Sequence, residues 1–174
     1  MADALRVLFV CTGNLCRSPL AAAMFAAEAT ARGVGTRFLI ASAGTHARDG
    51  QPCPSPLVEV ATEYGLDVSG HRSRRLTEQD FIAQDAIIAL DLGHLDHLNF
   101  MRPREATARQ MLLLSGVDEA GALQVPGPYG RGARDYARAA ALIRLGVGSL
   151  FARLLPSGSV MEYISLIRQR GRIF

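Results

Sequence analysis

Apolar residues in this chain fall into two alternating rhythms, short unbroken runs and longer stretches at helical spacing. Arg6 to Val10 is a run rich in β-branched and aromatic side chains, which suits a buried strand, and it stops at a glycine-containing turn. An alanine-rich stretch from about Pro19 to Arg32 then reads as a helix. Phe38 to Ala41 predicts a second strand, followed by a Gly/Pro-rich segment from Gly44 to Pro56 and a helix from about Leu57 to Tyr64 that ends at Gly65. A third buried strand is expected at Asp85 to Leu90, after a short helix at Thr77 to Phe81 whose TEQD start supplies a capping hydroxyl and first-turn acids. Met111 to Leu114 predicts a fourth strand. Tyr136, Ala139, Ala140, Ile143 and Val147 recur on one face and predict a long packing helix from Asp135, its cap, to Leu155. Beyond a Pro-Ser-Gly break, Val160 to Gln169 reads as an amphipathic helix with a basic end. Strands alternating with helices predict an α/β fold, a parallel sheet flanked by helices on both faces, with ligands beyond the carboxyl ends of the strands. One domain over residues 1–155 and a helical extension over 156–174 are expected.

Composition narrows the class. A chain of 174 residues with 49% hydrophobic and 20% charged residues can bury a core, so disorder is not expected. No apolar run reaches the roughly 18 residues of a membrane span, and no leader pattern opens the chain, so a cytoplasmic protein with reduced thiols is expected. All 19 basic residues are arginine, which suits planar recognition of oxyanions. The densest basic patches, HRSRR at 71–75 and IRQRGR at 167–172, lack interleaved aromatics, so nucleic acid is not an expected partner.

The candidate chemistry lies in VCTGNLCRSP, residues 10–19, at the carboxyl end of the first predicted strand. A loop ahead of a helix N-terminus turns several backbone N–H groups inward and, with the helix dipole, forms a site for a tetrahedral anion. Arg17 can grip two oxygens of that anion while Cys11 lies beneath its central atom. The same field favours a thiolate, to which the Ser18 hydroxyl can donate. This is equipment for attack on phosphorus and a cysteinyl-phosphate intermediate. A nucleotide-binding loop is excluded, since neither Gly-Lys-Ser/Thr nor GxGxxG is present. Cys11 and Cys16 have no second Cys/His pair at metal spacing, so no metal site is expected. Cys16 has two readings, a buried apolar residue or a redox partner that protects Cys11 from overoxidation, and Cys53 reads as incidental.

These residues resemble the low molecular weight protein tyrosine phosphatases and the related arsenate reductases that share the loop. The likeness runs through VCTGNLCRSP, SAGT at 42–45, GHRSRRLTEQDF at 70–81, IIALD at 87–91, and VPGPYG at 125–130 with RDY at 134–136. The resemblance implies a four-stranded parallel sheet in a three-layer, flavodoxin-like arrangement, with no metal or cofactor. It implies Cys11 as nucleophile, Arg17 as phosphate-binding arginine and Ser18 as the hydroxyl on the thiolate. Thr12, Gly13, Asn14, Leu15 and Cys16 complete the phosphate loop. Asn14 is expected at positive φ, held by Ser42 and His71, and Asp91 as a structural acid. Tyr129 is expected as an aromatic wall of the pocket, Leu15 as an apolar contact and Arg48 as a contact for acidic flanks, whereas Gly130 stands where a second tyrosine is usual. An arsenate reductase would need a downstream pair of cysteines, and Cys53 alone cannot serve.

The resemblance also marks a gap. Gly127 occupies the position where the family carries the aspartate that protonates the leaving oxygen and then activates water. General acid–base assistance is worth roughly a hundred- to ten-thousandfold. Four readings remain open: a substitute acid, with Asp135, Asp118 and Glu119 nearest in sequence; a leaving group that departs unprotonated; an anion-binding relative with little turnover; or an engineered trap. The expected function is therefore a slowed protein tyrosine phosphatase. Its expected partner is a phosphotyrosine protein, with a bacterial tyrosine kinase as a candidate, and the alternative is a phosphotyrosine-binding relative.

Overall fold

The computed structural model describes residues 4–155. The helix expected at Val160 to Gln169, and with it the extension over 156–174, lies outside the described residues.

Four parallel strands form one sheet in the order β2-β1-β3-β4: β1 (Leu5–Cys11), β2 (Phe38–Gly44), β3 (Ala86–Ala89) and β4 (Arg109–Leu112). The α/β sheet expectation is met. β1 is central and apolar on both faces, as a strand covered on two sides must be. Among the described residues, five α-helices connect and cover the strands: α1 (Arg17–Ala31), α2 (Ser55–Glu63), α3 (Glu78–Ala83), α4 (Leu92–Met101) and α5 (Ala133–Leu154). Alternate side chains of β1 serve different cores. Leu5, Val7 and Phe9 pack with α1, α2 and α5, where Phe25 stacks on Phe151 at 4.4 Å between centroids. Leu8 and Val10 face the other way, toward Phe81 of α3 and Leu98 of α4. The period-2 alternation of a strand thus produces the three layers.

Three expectations shift. The fourth strand lies two residues earlier than Met111 to Leu114, because the β3 ladder pairs Ala86 with Arg109 and Ala89 with Leu112. The cap of α5 is Gly132, and Asp135 sits inside the first turn. No element was expected between Leu92 and Met101, where α4 forms. Its buried residues are only His94 and Leu98, while Phe100 is 89% exposed, so its apolar residues mark no consistent face.

Candidate active site

The sheet sets the site. β1 ends at Cys11, and the chain then loops through residues 12–16 into α1, whose first residue is Arg17. Among the described residues, the N–H groups of Gly13, Asn14, Leu15 and Cys16 find no backbone carbonyl, so they remain available to an anion. Asn14 makes the turn possible by taking φ 53°. It is fully buried. Its Nδ2 donates to Ser18 Oγ at 2.9 Å and to Ser42 Oγ at 2.8 Å, while its Oδ1 accepts from the Arg74 backbone N–H at 2.9 Å. The obligatory N–H donor on Oδ1 fixes which way the amide points. His71 Nε2 donates to the Asn14 carbonyl at 2.7 Å. Burial pushes this imidazole below its ordinary pKa, against the opposing effect of the Asn14 carbonyl.

SAGT presses on the same loop. Thr45 N–H donates to the Cys11 carbonyl and His46 N–H to the Thr12 carbonyl, each at 2.9 Å. A Cβ on Gly44 would stand 2.5 Å from the Thr12 carbonyl oxygen and 2.8 Å from Asn14 N, a backbone collision on both sides, so glycine is required there.

At the floor of the site, Cys11 Sγ lies 3.0 Å from Ser18 Oγ. Ser18 Oγ already accepts a hydrogen bond from Asn14, which leaves its own hydrogen free to go to the sulfur, or to the Ala43 carbonyl at 3.3 Å. A thiolate is the stronger acceptor of the two. Arg17 Nη1 donates to Asp91 Oδ2 at 2.7 Å and to the Val125 carbonyl at 2.9 Å, and Nη2 to Thr12 Oγ1 at 3.3 Å. Asp91 caps α4 by accepting from His94 N–H at 2.8 Å. Burial opposes ionisation of Asp91, but the contacts with His94 and Arg17 outweigh it and hold the carboxyl well below the ordinary carboxylate range. His94 Nε2 lies 2.8 Å from Thr12 Oγ1 and His94 Nδ1 2.9 Å from Asp91 Oδ1. Arg17, Asp91, His94 and Thr12 thus close a ring around one side of the loop.

A cleft of ≈ 610 Å³ opens above Cys11, with Thr12, Leu15, Cys16, Arg17, Arg48, Gly127 and Tyr129 among its lining residues. Leu15, Arg48 and Tyr129, expected as pocket residues, all line this cleft. Gly127 faces the guanidinium of Arg17, since a Cβ there would be 3.4 Å from Nη2 and 3.5 Å from Cζ. Asp135, Asp118 and Glu119 are not among the lining residues, and among the described residues no carboxylate lines the cleft. Cys16 is buried, which pushes its thiol up to about 12, and its Sγ faces the Tyr136 hydroxyl at 3.9 Å. Burial also pushes Cys53 up to about 11.

Sequence reasoning missed His94 and the Arg74 backbone donor. An aspartate at a strand end with a histidine three positions on is a readable signal, because a helix capped by the first residue brings the fourth back beside it.

Comparison with known proteins agrees with this geometry. The model of a family described as low molecular weight phosphotyrosine protein phosphatase matches residues 6–158. A protein of Streptomyces coelicolor named low molecular weight protein-tyrosine-phosphatase is 41% identical over 136 residues, which make up 75% of this chain and 80% of that one. The Bacillus subtilis protein YfkJ, named likewise, is 33% identical over 149 residues, 85% of this chain and 94% of its own. The crystal structure of YfkJ superposes with a TM-score of 0.81 over 90% of this chain and 98% of that chain, at 31% identity. A low molecular weight protein tyrosine phosphatase from T. tengcongensis gives 0.75 at 35% identity, covering 87% of this chain and 100% of that one. Sequence, sheet order and loop geometry converge, and the chain belongs to the low molecular weight phosphotyrosine protein phosphatase family.

Proposed function

We propose that this protein hydrolyses phosphotyrosine in proteins through a phosphoenzyme on Cys11, slowly because Gly127 supplies no general acid. The observation that supports the reading most directly is the 3.0 Å approach of Ser18 Oγ to Cys11 Sγ beneath an open set of loop N–H groups. In the first step the Cys11 thiolate attacks phosphorus, the P–O bond to the phenol breaks, and the electron pair stays on the phenol oxygen. Loop N–H groups and Arg17 carry the charge of the equatorial oxygens, an arrangement that needs no reorganisation as the transition state forms. Water then attacks phosphorus and expels the thiolate. Leu15 and Tyr129 flank the aromatic ring of the substrate. Arg48 and Arg131 line the cleft, and among the described residues no carboxylate does, which favours peptides with acidic residues beside the phosphotyrosine. Phosphotyrosine on a cytoplasmic bacterial tyrosine kinase fits this description.

Turnover of para-nitrophenyl phosphate and of phenyl phosphate tests the reading. Cys11→Ser is expected to abolish both. Gly127→Asp, whose Cβ fits in ordinary contact with Arg17, is expected to raise phenyl phosphate turnover about tenfold or more. Persistence of full activity in Cys11→Ser would sink the mechanism. That no carboxylate among the described residues lines the cleft supports a second reading, a phosphotyrosine-binding relative. That reading predicts micromolar peptide binding with no Cys11-dependent turnover.

A further inference from the structure

Gly127 leaves one side of the cleft without a proton donor, while the loop on the floor carries a hydroxyl backed by an imidazole and a carboxylate. Thr12 lines the cleft next to Cys11, and its side chain is exposed. His94 behind it is only 4% exposed. Nε2 of His94 is 2.8 Å from Thr12 Oγ1. Nδ1 is 2.9 Å from Asp91 Oδ1, close enough for a strong charge contact although too bent for a good hydrogen bond. Asp91 in turn holds Arg17. Burying an imidazole costs stability that an apolar residue at position 94 would avoid. Thr12 can find water for its own hydrogen bonds. The polar contacts of the buried ring run to Thr12 in the loop and to Asp91, which holds Arg17.

The geometry points to Thr12 as a catalytic proton donor and acceptor for the oxygen that joins phosphorus to the phenol, with His94 behind it as the residue that holds and orients the exchanged proton. This inference rests on the phosphatase reading above. Arg17 donates to Thr12 Oγ1, so the threonine hydrogen is left free to leave. As Cys11 forms its bond to phosphorus, the P–O bond breaks toward the phenol oxygen, which takes the hydrogen of Thr12. Thr12 Oγ1 takes the Nε2 proton of the His94 imidazolium, leaving a neutral ring. In the second step water gives one proton to Thr12 as its oxygen bonds to phosphorus and the P–S bond breaks. Thr12 passes its own proton to His94 Nε2, which restores the imidazolium and the Cys11 thiolate and releases phosphate. A hydroxyl relay of this kind is weaker than a carboxylic acid, which is consistent with slow rather than absent turnover.

First-turnover release of phenol from phenyl phosphate and of nitrophenol from para-nitrophenyl phosphate separates this role from a structural one, since nitrophenolate departs readily without a proton. Thr12→Val and His94→Gln are each expected to slow phenol release about a hundredfold and nitrophenol release less than about threefold. Competitive inhibition by inorganic phosphate should stay within about threefold of the parent, showing that the cradle is intact. Equal loss on both substrates, loss in only one of the two variants, or no loss in either overturns the relay. Cys11→Ser measured alongside reports separately on the phosphatase reading: if it keeps parental turnover, that reading has failed, whereas Cys11-dependent turnover without the substrate split means that only the relay has.

Discussion

At the scale of single residues, the site turns on a few side chains whose hydrogen-bonding capacity is filled. Asn14 uses both amide hydrogens and its carbonyl oxygen. Ser18 accepts from Asn14, which leaves its own hydrogen for Cys11 or the more distant Ala43 carbonyl. Removing the Ser18 hydroxyl strips one charge-assisted bond from the sulfur and one partner from a buried amide, losses of about 1.5–3 kcal/mol for a bond to a charged group. Ser18→Ala is therefore expected to lower kcat for para-nitrophenyl phosphate about ten- to a hundredfold, with KM changed far less. A kcat within a factor of two of the parent would show that this bond has no part in the chemistry. Ser18 and Arg17 were legible from the loop itself, a hydroxyl beside a thiol and an arginine for an oxyanion, whereas Asn14 at positive φ was expected from the family resemblance. His94 was not legible at this scale, because its meaning depends on a helix that the local pattern does not announce.

Elements then hold the residues. The short helix α3 has a capping box in which Thr77 and Asp80 satisfy each other's backbone N–H groups. Asp80 also takes both arms of Arg74, at 3.0 Å from Nη1 and 2.8 Å from Nη2. Arg74 is the residue whose backbone N–H fixes Asn14, so a helix cap on one face of the sheet is tied to the phosphate loop. Burial opposes ionisation of Asp80, but the bonds from Arg74 and Thr77 prevail and hold its carboxyl below the ordinary value of 3.8. A carboxyl depressed in the folded state stabilises the fold above the unfolded value, and that contribution disappears as pH falls through the lower, folded value. Asp80→Asn should accordingly cost about 1 kcal/mol near pH 7, and the gap from the parent should narrow as pH drops below about 4. Urea unfolding at a series of pH values measures this, and a gap that widened on acidification would reverse the assignment. The cap was readable from TEQD, but its tie to Asn14 was not, since nothing in the spacing of Asp80 and Asn14 indicates proximity. Helix α4 stayed unread for a related reason, because an Asp cap followed by two buried positions, one of them histidine, leaves little hydrophobic period to detect.

Across the whole molecule, local periodicity identifies strands and helices, but the β2-β1-β3-β4 order depends on long-range packing that no window of sequence contains. The site inherits that non-locality. Cys11 ends β1, Ser42 and Thr45 come from β2 and the turn after it, Asp91 follows β3, and the Val125 carbonyl reaches Arg17 from a segment tied to β3 through Val125 N–H and the Leu90 carbonyl at 2.9 Å. An anion in the cradle contacts a loop that exists only when these strands are aligned, so its binding free energy counts toward the stability of the whole domain. At about 100 times its Kd, inorganic phosphate should stabilise the folded state by about 2.7 kcal/mol, which for a domain of this size raises Tm by roughly 5–10 °C. Arg17→Ala lowers the starting Tm by removing one of the two partners of Asp91, the other being His94, but the quantity that decides is the increment added by phosphate. That increment should largely vanish in Arg17→Ala and persist in Cys11→Ser if, as proposed, the arginine holds the anion and the sulfur serves only in the attack. An undiminished increment in Arg17→Ala, measured by thermal unfolding at matched ionic strength, would mean that phosphate stabilises the protein from some other place than this loop.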